Sequence, residues 1–370
     1  MIPISDPSDS YQSHKDEIDQ AIRRVLDSGW YVLGREVESF EQEFAAFHGH
    51  NFHSVGVGNG TDAIALSLRA LGLNEGDEVI TTSHTAVATL AAIEQAGCTP
   101  VFADIDPVSR CICPQSLESR ISSQSKAIIP VHIFGQPCDM IKIMEIAKKF
   151  QLSVIEDCSQ AHAAETNDRK VGTFGDLATF SCYPTKNLGA LGDGGIILSR
   201  IDHYTNEVRR LRQYGWDNNR ESLSSGFNSR LDEIQATVLR VKLKYLSEDN
   251  EKRRQIAVQY DQAFRDLPIT LPKHKEKQKH AMHLYVIECE ERDKLLIHLR
   301  EKNIGANLHY PLPVHQHKAY QKRIRGSDEL PATEAFYKRH LTLPLFPELP
   351  KESIDWITDC IRNWFEKTKH

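Results

Sequence analysis

The chain lacks a long apolar run, a basic patch and a paired-cysteine spacing, and each absence removes a class of function. None of its 370 residues fall in an apolar stretch approaching the roughly 18 residues of a membrane span. The opening segment MIPISDPSDSYQSHKDE has neither the basic start nor the apolar stretch of a secretory signal. Acidic residues (51) outnumber lysine and arginine (45), and the basic ones are dispersed. A nucleic-acid footprint needs a larger basic patch with interleaved aromatics, so no nucleic-acid partner is expected. The densest basic run, Lys273 to His280, reads as a solvated loop.

The eight cysteines are scattered, and Cys98, Cys182 and Cys289 fall in apolar segments. That suits reduced thiols in a cytoplasm better than a disulfide framework. Cys111 and Cys113, with His132 and Cys138 beyond them, lack the second pair of a structural zinc site. His315 and His317 have no accompanying carboxylate or cysteine, so no metal is expected. What remains is an ordinary soluble composition, 40% hydrophobic and 26% charged, long enough for a large domain and a smaller one.

Between residues 55 and 200, short apolar runs alternate with helical stretches. The runs are Val55–Val57, Val79–Ile80, Val101–Ala103, Ala127–Ile133, Val154–Ile155, Ala178–Tyr183 and Ile196–Leu198; the helices include Asp62–Leu71, Ala86–Ala96 and Met140–Phe150. This pattern predicts an α/β domain with a mostly parallel sheet sandwiched by helices. Residues 18–48 read as helices leading into it. Residues 229–265 read as one long helix or a pair, with an apolar stripe at Leu231, Ile234, Val238, Val241 and Tyr245. Ser229 followed by Asp232 resembles an N-terminal cap signal. Shorter strand and helix pieces after residue 268 predict a small α+β domain. The expected division is 1–245, the large domain with its N-terminal helices, and 246–370, the small C-terminal one.

Ligands of such sheets collect at the carboxyl ends of the strands. Four segments lie there. VGVGNGTDAIALSL ends a strand in glycines, with Gly60 and Thr61 opening a helix; this is an anion site or a plain turn. LSVIEDCSQAHAA puts Asp157 at the end of an apolar strand, as a ligand-facing acid or a helix cap. FGDLATFSCYPTKNLGALGDGG carries Lys186 between a buried strand and a glycine-rich stretch, where a lysine loses its proton readily and can form a Schiff base. GFNSRLDEIQA sets Asn228 and Arg230 near a helix start, facing an anion or simply capping. Together these supply a phosphate cradle, an acid for a ring nitrogen and a lysine for an aldehyde, the parts that hold pyridoxal 5'-phosphate (PLP).

The combination NGTDA, VIEDCSQAHAA, TFSCYPTKNLGALGDGG and GFNSRLDEIQA resembles the DegT/DnrJ family of sugar aminotransferases, within the fold-type-I aspartate aminotransferase superfamily. The similarity runs from GWYVLGREVESFEQEFA to HYPLPVHQHKAY. It implies a PLP-dependent transaminase moving an amino group from glutamate to a nucleotide-linked keto-deoxysugar, in deoxyamino-sugar biosynthesis such as that of O-antigen or other polysaccharide. Lys186 would hold the cofactor as a Schiff base and move the proton. Asp157 would pair with the pyridine nitrogen, Gln160 would approach the ring hydroxyl, and Gly60, Thr61 and Ser181 would hold the phosphate. Asn228 would reach the phosphate in a neighbouring subunit, because family members are homodimers with shared active sites. Tyr183, His309, Tyr310 and His315 are the candidates for the sugar and its pyrophosphate.

One departure stands out. Many relatives place an aromatic residue after a threonine in the segment that here reads SHTAVAT, and this chain has Ala86 there. His84 takes the stacking role or is a structural histidine at a strand end. YPTKNLGALGDGG resembles members that aminate carbon 3 of a dTDP-linked 3-keto-6-deoxyhexose; members acting at carbon 4 more often carry an ITTGEGG-like run. Related dehydrases have histidine at the lysine position, which Lys186 argues against. A PLP-fold regulator without turnover is the alternative outside enzymology.

Overall fold

The computed structural model describes residues 1–273 and 277–367. The apolar runs form one seven-stranded sheet: β1 (His53–Val57), β2 (Glu78–Thr82), β3 (Thr99–Ala103), β4 (Ser125–Ile128), β5 (Ser153–Asp157), β6 (Leu177–Ser181) and β7 (Gly195–Ser199). Their spatial order is β1-β7-β6-β5-β4-β2-β3. Only β7 runs against its neighbours. Side chains alternate across it: Ile196 and Leu198 join one buried cluster and Ile197 joins another. Helices cover both faces, as continuous apolar strands require. The expected α/β sandwich is present.

Its boundaries are trimmed in places. Regular β4 ends at Ile128, but the Ala127–Ile133 run goes on pairing, Ile129 N–H with Ile80 O and Val131 beside Asp157, before a short 3-10 segment at Ile133–Gly135. The 229–265 region is two helices, Glu233–Leu243 and Leu246–Phe264. The first is buried on more than a stripe, with Ala236, Thr237, Leu239 and Leu243 inside as well as Val238 and Val241. The Ser229–Asp232 cap signal does not operate as read. Asp232 precedes the helix but makes no capping bond. The Ser229 hydroxyl instead accepts from Gly58 N–H (2.9 Å) and donates to Asp62 (2.6 Å), tying the segment to the glycine turn.

A second core forms around Tyr260, Phe264, Tyr285, Leu343 and Ile357. It packs helices Leu246–Phe264, Arg292–Glu301 and Lys351–Lys367 on the antiparallel pair Tyr285–Glu288 and His340–Leu343. Val314, Tyr320, Ile324 and Leu330 instead pack on Leu90 and Phe102, bracing this half against the large sheet. The basic run expected to be a solvated loop is only partly so. Lys273, Lys277 and Lys279 are exposed, but Gln278–Lys279 pair with Glu165–Thr166 and His280 is buried; residues 274–276 lie outside the described residues. Among the described residues no helix is long and apolar enough to cross a membrane.

Candidate active site

The carboxyl ends of β1, β5 and β6 open on the same edge, and β7 starts there: Gly195 pairs with both Val57 and Ser181. A cleft of about 250 Å³ lies at this edge. Seven of the residues singled out by sequence line it: Gly60, Thr61, Asp157, Gln160, Ser181, Tyr183 and Lys186.

The anion end is built by close approach. Asn59 caps the helix Gly60–Ala70, its Oδ1 accepting from Asp62 N–H at 2.8 Å. The amides of Gly60 and Thr61 have no carbonyl one turn back within the helix, so they are free to meet an anion. A Cβ on Gly60 would sit 2.7 Å from Ser181 Cβ. Glycine is what lets the Ser181 hydroxyl stand beside the helix start.

Asp157 sits at the cleft floor, 4% exposed. Its Oδ1 accepts from Ser159 N–H (3.1 Å) and its Oδ2 from the Thr89 hydroxyl (3.1 Å), which in turn meets Thr85 (2.8 Å). The carboxylate is thereby aimed and keeps acceptor capacity for a ligand N–H. Gln160 is fixed from both ends: Oε1 accepts from Phe134 N–H at 2.6 Å, and Nε2 donates to Tyr310 OH at 3.0 Å. Burial pushes the Tyr310 phenol up to about 12. Burial also pushes the Lys186 amine down to about 8, against the opposing pull of Asp157. An amine near 8 is neutral in an appreciable fraction of molecules at neutral pH and can attack a carbonyl. Cradle, acid and amine in one cleft fit a phosphorylated pyridine aldehyde.

Other candidates lie elsewhere. His84 does not line the cleft; Thr85 and Ala86 do. Its buried ring makes edge contacts with Phe134, Phe336 and Tyr337, with Nδ1 3.1 Å from Tyr337 OH. His309 meets Thr342 Oγ1 at 3.0 Å, and burial, with the Lys186 charge adding to it, pushes it down to about 4. His315 is buried behind the end of β2, 2.8 Å from Ser83 Oγ and 3.5 Å from Glu334. Asn228 is exposed on its own chain, before the Glu233–Leu243 helix. His132 and Cys138 make local bonds: Cys138 N–H donates to His132 Nδ1 and its thiol to Val131 O. His132 Nε2 then faces Glu156, whose oxygens also accept from Gly172, Phe174 and Gly175. Sequence reasoning missed Thr85, Thr89, Ser159 and Asp193, which also line the cleft; of these, only Ser159 carries a local signal, two residues after Asp157.

Comparison with known proteins places the chain in a family. Over its full alignment the chain is 42% identical to a dTDP-3-amino-3,6-dideoxy-alpha-D-galactopyranose transaminase of Aneurinibacillus thermoaerophilus, covering 98% of this chain and 99% of that one. It is 39% identical to a dTDP-3-amino-3,4,6-trideoxy-alpha-D-glucose transaminase of Streptomyces venezuelae, covering 99% and 97%. The crystal structure of S. venezuelae DesV in complex with a ketimine intermediate superposes with a TM-score of 0.96 at 39% identity, over 99% of this chain and 98% of that one. The family model DegT/DnrJ/EryC1/StrS aminotransferase matches residues 12–362, and the chain belongs to that family.

Proposed function

We propose that this chain transfers an amino group from glutamate to carbon 3 of a dTDP-linked 3-keto-6-deoxyhexose. It is a PLP-dependent transaminase of the sugar-nucleotide class. The observation that carries the reading is the Lys186 amine, lowered to about 8, sharing one cleft with Asp157 and the Gly60–Thr61 helix start. When bound, PLP supplies an aldehyde that takes up the amino group and a ring that accommodates the electrons released.

The chain's own residues do the rest. Gly60 and Thr61 amides and the Ser181 hydroxyl hold the phosphate. Asp157, aimed by Ser159 and Thr89, keeps the ring nitrogen protonated. Gln160 presents its remaining N–H to the ring hydroxyl. Lys186 would hold the aldehyde end, and its amine would serve as the acid and base that moves a proton. In this reading Tyr183, Tyr310 and His309 meet the sugar and its pyrophosphate, which the exposure of Tyr183 at the mouth and the bond between Tyr310 and Gln160 support. His315 is engaged by Ser83 and Glu334, so in this reading it braces the 314–316 turn against β2. His84 is read as a packing residue, because its buried ring is held by Phe134, Phe336 and Tyr337.

A homodimer with shared sites is part of the proposal. Trp30, Tyr31, Val32 and Leu191 are 40–63% exposed. Val32 bridges to Asp232 and Leu191 N–H binds Gln235, so these side chains surround one helix start. Apolar side chains gathered in this way mark a contact surface. The division near residue 245 is supported by the second apolar core, whose buried members all lie between Ile256 and Phe365, while Leu246, Leu284 and Phe336 pack with the large domain. A cytoplasmic setting is supported by the eight unpaired cysteines, seven of them buried.

The test is incubation of the PLP-loaded chain with glutamate and a panel of 3-keto and 4-keto dTDP- and UDP-sugars, read by product mass and NMR. An amine at carbon 3 of a dTDP sugar is expected. Amination only at carbon 4 would overturn the regiochemistry. A visible band that glutamate does not bleach would favour a regulator without turnover.

A further inference from the structure

Asn187, the residue after Lys186, has its side-chain amide fully engaged. Its Nδ2 donates to Asn250 Oδ1 at 2.7 Å and to Ala281 O at 2.7 Å. Turning the amide over would set its oxygen against the Ala281 carbonyl, two acceptors face to face. Asn250 has no freedom to turn either, since its own Nδ2 donates to His162 O at 2.8 Å. The Asn187 oxygen must therefore accept, and its partner is His283 Nδ1 at 3.0 Å. Nδ1 of His283 carries the proton, and Nε2 is a bare lone pair. His283 is itself anchored, because its backbone N–H donates to Phe134 O at 3.0 Å. Phe134 N–H is the donor that fixes Gln160. One residue, through its backbone N–H on one side and its imidazole on the other, thus joins the turn that orients Gln160 to the turn that carries Lys186.

We propose that His283 is a positioning residue for Lys186, its Nδ1 proton clamping Asn187 so that the lysine amine stays withdrawn from water. The proposal rests on Lys186 being the cofactor amine. Charged and titratable groups facing His283 are Lys186, Arg253, His309 and His162, none of them an anion. Burial and these neighbours hold the imidazole neutral, which the clamp requires. Lys186 itself faces Asp157 and Cys182. Loss of the clamp frees the 183–189 turn, lets water reach the amine, and raises its titration midpoint.

The test uses three substitutions. His283→Asn keeps an N–H where Nδ1 stood; His283→Gln places one where Nε2 stood; His283→Leu has none. Acetic anhydride labelling of Lys186 in the cofactor-free full chain, followed by mass spectrometry across pH, reads the amine directly. Parent and His283→Asn are expected to share a midpoint near 8. His283→Gln and His283→Leu are expected to rise by about one pH unit. The visible band of the PLP-loaded variants should order the same way. Equal midpoints in all four proteins, or a His283→Asn shift as large as that of His283→Gln, would overturn the proposal. Failure of the parent to develop a band with PLP would count against the functional reading, while the labelling midpoints still decide the role of His283.

Discussion

Lys186 is held in a state that works against folding. Its ammonium is partly withdrawn from water, and the attraction of Asp157 does not offset that loss. The unfolded chain titrates this group at its ordinary 10.5 and the folded chain at about 8. The folded-state value is lowered, so between pH 8 and 10.5 the unfolded state binds more protons and stability rises with pH. Below pH 8 the full penalty applies, on the order of 2–3 kcal/mol after discounting for residual solvent contact. Lys186→Met in the cofactor-free chain is therefore expected to be more stable than the parent at pH 7, with the gap closing as pH rises to about 10. Urea titrations at several pH values check this; a gap independent of pH would sink the explanation. Lys186 and Asp157 were legible in the sequence because Asp157 ends an apolar strand, Lys186 closely follows another, and a change of texture comes after each. Thr89 was not, since its bond to Asp157 spans 68 positions. Nor was His283, 96 positions from Asn187, with only an apolar strand around it. Long-range hydrogen bonds leave no periodicity to read.

At the scale of elements, the anion cradle depends on how closely β7 approaches the end of β1. A Cβ on Gly195 would lie 2.2 Å from Asn59 O and 2.5 Å from Asn59 C. Both are backbone atoms, and both precede the Gly60–Ala70 helix that presents the free amides. Gly195→Ala must push strand and helix apart, and is expected to cost about 2–4 kcal/mol and to weaken PLP binding at least about tenfold. Gly192→Ala is the control, because the atoms nearest its Cβ belong to the Gln235 side chain, at 3.0 Å and beyond, so relief costs at most the bond that Gln235 accepts from Leu191 N–H and no backbone shift. It should cost less than about 1 kcal/mol. Urea unfolding and PLP titration of the two variants measure the contrast, and similar losses in both would remove the role assigned to the close approach. Sequence placed these elements well but not their ends. Alternating runs announced the strands, whereas the break between Leu243 and Leu246 is unmarked by glycine or proline. The Ser229–Asp232 pattern misled for a physical reason: the serine had a better partner in the Gly58–Asp62 turn, 167 to 171 positions away.

For the whole molecule, one chain gathers Gly60, Thr61, Asp157, Gln160, Ser181 and Lys186 in its own cleft. Asn228 and the apolar side chains around Asp232 face outward, and family resemblance assigns Asn228 to the neighbouring subunit's phosphate. If two chains complete each cleft, defects in different halves must complement. Lys186→Ala removes the amine from a chain's own cleft. Asn228→Asp sets a carboxylate against the phosphate in its partner's cleft and is expected to abolish turnover there by charge repulsion. Each variant alone should be inactive as a homodimer. After the two are unfolded together and refolded at equal concentration, half of the dimers should pair unlike chains. In each of those, one cleft collects both defects and the other collects none. Recovered activity should therefore approach about a quarter of the parent value. No recovery, with mixed dimers confirmed by native mass spectrometry, would place Asn228 at its own chain's cleft. A fully active Asn228→Asp homodimer would remove it from the phosphate altogether.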